Sequence, residues 1–182
     1  MNARTYAATV RRVLAQLLGD RRTVALILVV PALLVILLSF VYRDYPHGEQ
    51  LFERIAVIMI AVLPMAVMFL VTSVTMLRER ASGTLERLWT TSLHRADLLT
   101  GYATAFPLVS VGQSLLLVAV CAWGLGVTIA GSWGWILLTA LLDAFVGVAL
   151  GLLVSAFSRT EFQAVQFMPV VIGVQMFLCG LL

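Results

Sequence analysis

The sequence contains no lysine: all twelve basic residues among its 182 are arginine. A phosphate-binding loop of the form Gly-x-x-x-x-Gly-Lys-Ser/Thr therefore cannot occur, and ATP binding by that route is excluded. No single functional reason applies at twelve separate places, so the substitution reads as codon bias in a GC-rich genome. Charge of either sign is scarce, at 12% of residues, where a soluble domain carries about a quarter. Apolar residues make up 62% and the mean hydropathy is +1.04. So few charges cannot cover the surface of a soluble domain of this length. A soluble enzyme, a disordered tail and a nucleic-acid-binding module are all excluded on these grounds. Cysteine is limited to Cys121 and Cys179, both inside apolar runs and without metal-ligand spacing, which reads as buried thiols. A cleavable signal peptide is lacking too, because the first apolar run, from about Val24, is too long and has no small-residue cleavage site after it. What the composition leaves is an integral membrane protein, and this length allows roughly five or six spans at ~20 residues each.

Five apolar runs are long enough to cross a bilayer: 23–41, 55–77, 103–129, 133–157 and 162–182. Pro31, Pro64, Pro107 and Pro169 fall in or near them and are expected to kink rather than break the helices. Arginine alternates between the connecting segments. Arg4, Arg11, Arg12, Arg21, Arg22, Arg78, Arg80, Arg87, Arg95 and Arg159 share one side, and Arg43 and Arg54 lie on the other. The positive-inside rule then makes the N-terminus cytoplasmic. Trp123, Trp133 and Trp135 flank the third loop on the outer side, where an aromatic belt is expected.

Residues 1–22 form an amphipathic helix. Tyr6, Val10, Val13, Leu14, Leu17 and Leu18 make an apolar stripe, with Arg11, Arg12 and Gln16 off it. Such a helix lies in the headgroup layer, stripe down, either as a simple anchor or as an elbow that also touches a cytoplasmic partner. The loop 78–100 is the most informative stretch. Ser82 or Thr84 can cap a short helix, on which Leu85, Leu88 and Trp89 form a ridge among Glu79, Arg80, Glu86 and Arg87. An apolar ridge inside a mixed-charge rim suits docking into a groove of another protein. A solvated loop with a membrane-dipping tryptophan fits the same pattern.

The pattern Glu79-x-x-x-Gly83-Thr84-x-Glu86-x-Leu88-x-x-Thr91, just after the second span, resembles the signature of ABC-2-type exporter permeases, including the daunorubicin-resistance and polysaccharide-exporter types. The opening resembles them too: an arginine-bearing amphipathic helix, Gly19-Asp20-Arg21-Arg22, then a span holding Pro31. Ala81, Ser92 and Tyr102 depart from residues common in the family. The resemblance implies an all-α integral membrane protein with an interfacial elbow helix, transmembrane helices and a cytoplasmic coupling helix between the second and third spans. The family normally has six spans, so a chain with five is expected to lack one. The resemblance further implies a permease subunit for efflux or drug resistance in the bacterial inner membrane. Two ATPase subunits would dock on Glu79, Gly83, Thr84, Leu85, Glu86, Arg87, Leu88 and Trp89, with Arg11 and Arg12 of the elbow as a second contact. A second permease, identical or homologous, would complete the path, with ATP and magnesium held by the partners and no cofactor by this chain.

Asp143 is the one charged residue well inside a run. A mid-span aspartate costs roughly 2.5–3.5 kcal/mol on insertion scales, so it is expected to face protein or water. Asp143, Gly147, Gly151 and Ser155 recur every four residues, and Gly147-x-x-x-Gly151 is a helix-packing motif. Gln113 and Ser114 on the third run, or Gln166 and Gln175 on the fifth, are candidate partners for Asp143, either for packing or along a substrate or proton path. Two rival functions stay open: a secondary transporter or channel using Asp143 as its ion site, and a non-transporting membrane scaffold. His47 and His94 lie in opposite loops and cannot share a metal. No nucleophile–base pair lies within the runs, which ranks an intramembrane enzyme last.

Overall fold

The structure is a computed structural model and describes residues 3–83 and 95–178. All regular elements among these residues are helical. In chain order they are α1 (Ala3–Gly19), α2 (Arg21–Tyr42), α3 (Gly48–Ala81), α4 (Arg95–Ala119), α5 (Trp133–Phe157), α6 (Glu161–Gln166) and α7 (Met168–Leu178). Five segments are long and apolar enough to cross a membrane: α2, α3, Leu98–Gly124, α5 and Glu161–Leu178. The chain is thus an all-α, multi-pass membrane protein.

The helices differ from the apolar runs in instructive ways. α3 runs from Gly48 to Ala81, well beyond the apolar stretch 55–77. At 1.5 Å per residue it is about 51 Å long, against a hydrocarbon core of ≈30 Å. Its charged ends, Glu49 to Arg54 and Arg78 to Arg80, are helical but belong outside that core. The third run ends earlier than 129: α4 passes into a π-helical turn, Val120–Gly124, and residues 125–132 are irregular. The fifth run is broken at Phe167. Pro169, second in α7, has no N–H to bond back into α6, so the helical ladder lapses there.

α3 is the central pillar, and α5 lies along it. Ala140, Ala144, Gly147, Val148, Gly151 and Ser155 form the buried face of α5. The fit is close because two glycines leave room for backbone. A Cβ at Gly147 would stand 2.3 Å from the Met65 carbonyl oxygen, and one at Gly151 2.7 Å from that of Phe69. Small residues permit this approach where no hydrophobic force acts between helices in lipid. One apolar cluster joins α1, α3, α4 and α5 through Val13, Leu17, Met68, Met76, Tyr102, Phe106 and Val148. A second joins α2, α3, α4 and α5 through Val35, Phe52, Ile60, Leu117, Cys121 and Ala140. The outward residues of α2 and α5, such as Leu33, Leu37, Leu142 and Leu153, are apolar and exposed, as lipid contact requires.

Candidate functional site

The sequence places its candidate coupling residues where α3 ends. There the backbone turns at Gly83, whose φ of +68° is a left-handed conformation that glycine adopts without steric cost. The Ser82 and Gly83 amides donate to the carbonyls of Arg78 and Arg80 and close the helix. Thr84, Leu85, Glu86, Arg87, Leu88 and Trp89, with the rest of 84–94, lie outside the described residues. The structure thus describes the root of the expected coupling segment, Glu79 to Gly83.

Three consecutive charges at that root each reach a different element. Glu79 is buried, and its Oε1 pairs with Arg12 Nη2 of α1 at 3.1 Å. Its other oxygen is also buried, as is the nearby hydroxyl of Tyr102 on α4. Arg78 forms a fork with Glu161 at the start of α6: Nε donates to Oε1 at 2.8 Å and Nη2 to Oε2 at 3.0 Å. Arg80 Nη1 donates to the carbonyls of Ser155, at 2.9 Å, and Ala156, at 3.3 Å. Those carbonyls lie in the last turn of α5, which has no intrahelical donors left for them. Arginine there also complements the negative end of the helix dipole.

α1 meets protein with its apolar stripe. Val13 and Leu17 are buried in the first cluster, Val10 and Leu14 pack against it, and Leu18 is exposed. Tyr6 donates to Thr104 Oγ1 of α4 at 3.0 Å. The helix comes so near α4 that a Cβ at Gly101 would lie 2.6 Å from Thr9 Cγ2. Of the two elbow arginines, Arg11 is exposed and Arg12 is taken up by Glu79. Between α1, α3 and α4 lies an open cleft of about 280 Å³, lined in part by Arg12, Gln16, Asp20, Arg78, Glu79 and Tyr102. Asp20 caps α2, accepting from the amides of Arg22 and Thr23 and from the Thr23 hydroxyl at 2.6 Å. These bonds, led by the hydroxyl, hold its carboxyl below the ordinary aspartate range.

The interior polar candidates are only partly brought together. Asp143 Oδ2 accepts from Gln175 Nε2 at 2.7 Å, linking α5 to α7. Gln113 and Ser114 are buried in α4, and their side-chain polar atoms have no partner among the described residues. Gln166 is exposed at the end of α6. No group of three or more His, Cys, Asp or Glu able to hold a metal occurs among the described residues. At the far end of α3 the Glu53 carboxylate accepts from the Thr128 amide at 2.9 Å and from the Thr128 hydroxyl, fastening the irregular segment after the π turn.

Sequence reading missed several of these ties. Arg78 served only as a topology marker, and Arg80 as that and as part of a charged rim. Glu161 drew no notice, since 83 residues separate it from Arg78. A mixed triplet, Arg-Glu-Arg, at the end of an apolar run was the available signal.

Comparison with known proteins places these features in context. The ABC-2 type transporter family model matches residues 4–182. The chain is 32% identical over 109 residues to "ABC transporter G family member 20" of Dictyostelium discoideum, covering 59% of this chain and 15% of that protein. It is 29% identical over 106 residues to "Probable multidrug ABC transporter permease YbhR" of Escherichia coli strain K12, covering 58% of this chain and 29% of the relative. The matches thus span less than a third of the length of either relative. No solved structure matches.

Proposed function

This chain belongs to the ABC-2 type transporter family, and on that premise we propose that it is the membrane permease of an ATP-driven exporter in a bacterial inner membrane. Its N-terminus is cytoplasmic, the side that ten of its twelve arginines share. Two ATPase subunits dock on the 78–100 loop, with Thr84 to Trp89 as the seat. A second permease, identical or homologous, completes the path. ATP and magnesium stay with the ATPases, and this chain carries out no hydrolysis.

The observation that carries this reading is the Arg12–Glu79 pair. It ties the elbow helix to the root of the loop, so two elements facing the same aqueous side move as one. A push on the loop is then delivered to α1 and, through the buried contacts of Val13 and Leu17, to the bundle. Co-purification with an ATPase encoded beside this chain tests the reading, and deletion of 79–91 is expected to abolish it. Glu86→Ala and Gly83→Pro are expected to leave insertion intact and to separate ATP hydrolysis from export. Normal export by both variants would sink the coupling role.

A second reading has its own support in the Asp143–Gln175 bond, which places an ionisable group between two apolar helices. If Asp143 is an ion site, transport survives ATP depletion, collapses with an uncoupler and is lost in Asp143→Asn. The apolar character of the spans favours a lipid or a hydrophobic drug as the substrate.

A further inference from the structure

Arg78 and Arg80 hold the two sides of one tight turn, residues 158–160, which joins α5 to α6. On the α5 side Arg80 grips backbone carbonyls, a contact that does not depend on which side chains stand there. On the α6 side the Arg78–Glu161 fork fixes direction as well as distance, since two parallel bonds resist rotation. The turn is itself stiff: Thr160 Oγ1 accepts from the Gln163 amide at 3.2 Å, and Gln163 Oε1 accepts from the Arg159 amide at 2.9 Å. This is close to the reciprocal capping arrangement that locks a helix start. Beyond the turn, apolar attachment is slight, since Ala164 is the single buried side chain among the described residues of α6 and α7.

We propose that Arg78 and Arg80 are positioning residues that gear the end of α3 to the α5–α6 turn, so that a displacement arriving at Gly83 swings α6 and α7. The proposal rests on the coupling role of the 78–100 loop and extends it from the elbow helix to the far side of the bundle. The Arg78–Glu161 pair is exposed, at 66% and 48%, and so adds little to stability. What it supplies is a fixed relation between α3 and a helix pair that packing leaves loosely held.

The test uses the full chain in nanodiscs, with Cys121→Ser and Cys179→Ser, and spin labels at the exposed positions Ala81 and Phe162. Pulsed electron resonance is expected to give one narrow distance distribution. It broadens in Arg78→Gln with Arg80→Gln. It narrows again in the exchange of Arg78→Glu with Glu161→Arg, which separates loss of the tie from a general folding defect. In the complex with its ATPase, ATP with vanadate is expected to change maleimide labelling of Phe162→Cys, and Arg78→Gln to lose that change while hydrolysis continues. An unbroadened distribution in the glutamine variants, or a nucleotide response that Arg78→Gln leaves intact, overturns the gearing. If deletion of 79–91 leaves the ATPase bound, the coupling reading itself fails, and the distance measurement still decides whether the arginines fix α6.

Discussion

α3 is held along its middle and at its root by opposite means. Along the middle, Gly147 and Gly151 bring the backbone of α5 against the carbonyls of Met65 and Phe69. That seam is set by shape over several turns, and close-packed interiors do not yield gradually. At the root, Arg78, Glu79 and Arg80 make point contacts with α6, α1 and the end of α5. These can be broken and remade one at a time, and those exposed to water cost little to exchange. The difference separates two tasks. The seam keeps α3 and α5 a single body, and the root is where motion can enter without unpacking that body.

The largest effects are expected at the seam. Gly151→Leu and Gly147→Leu place side chains where backbone already stands. Overpacking costs about 1–3 kcal/mol and occasionally more, and with backbone as the obstacle the upper end applies. Both variants should fail to yield monodisperse protein on size exclusion after extraction. Folded Gly147→Leu with an unchanged thermal midpoint would mean that α5 does not lie on α3 as described.

Next in size is Glu79→Ala. It leaves Arg12 without its partner and removes a buried group beside Tyr102, for a loss of about 1–3 kcal/mol in thermal stability. Arg12→Ala should cost at least as much, since it strands Glu79, only 5% exposed, as a buried charge, whereas Glu79→Ala leaves Arg12, 36% exposed, with access to water. A double-mutant cycle between the two should show coupling. Strict additivity would place the elbow and the root of the loop in independent units.

Below that stands the bond within the apolar interior. Asp143→Ala should lose about 0.6 kcal/mol and at most about 1.7, the average and the maximum found for interhelical hydrogen bonds within a membrane protein. Gln175→Ala should match it, with no further loss in the double variant. If Asp143→Ala stops transport while Gln175→Ala spares it, Asp143 acts on more than α7.

How much of this was legible in the sequence follows from the physics of each signal. Hydropathy reports the membrane slab and not the helix, which is why 55–77 became Gly48–Ala81: Glu49, Glu53 and Arg78 end the apolar run without ending the hydrogen-bond ladder. The stripe Asp143, Gly147, Gly151, Ser155 names a face of one helix, but periodicity cannot say that the face meets α3. Four candidate partners for Asp143 were legible by residue type, and choosing Gln175 needed a contact across 32 positions. Arg78 and Arg80 read as counts on one side of a membrane because a backbone carbonyl, the partner of Arg80, has no letter of its own. The ridge Leu85, Leu88, Trp89 rests on sequence and family resemblance alone, since it falls outside the described residues.

The smallest effect belongs to Asp20, which borders the root and meets Arg78 through charge alone, as the least of the influences on that arginine. Its carboxylate caps α2 through the Thr23 hydroxyl and two amides, and these bonds lower its pKa in the folded chain. A group lowered in this way adds stability that is complete above the pKa of the unfolded chain, about 4. The contribution fades as pH falls through the folded value, because the neutral carboxyl binds the amides less well. Asp20→Asn keeps an acceptor at the cap and loses the charge, so it should show a slight drop in thermal midpoint at neutral pH and none in strong acid. Asp20→Ala loses both and should stay below the parent at neutral pH by a wider margin. If instead Asp20→Asn also loosened the Arg12–Glu79 coupling measured in the double-mutant cycle, the cap would belong to the root. The contrast between a rigid seam and an exchangeable joint would then have to include the start of α2.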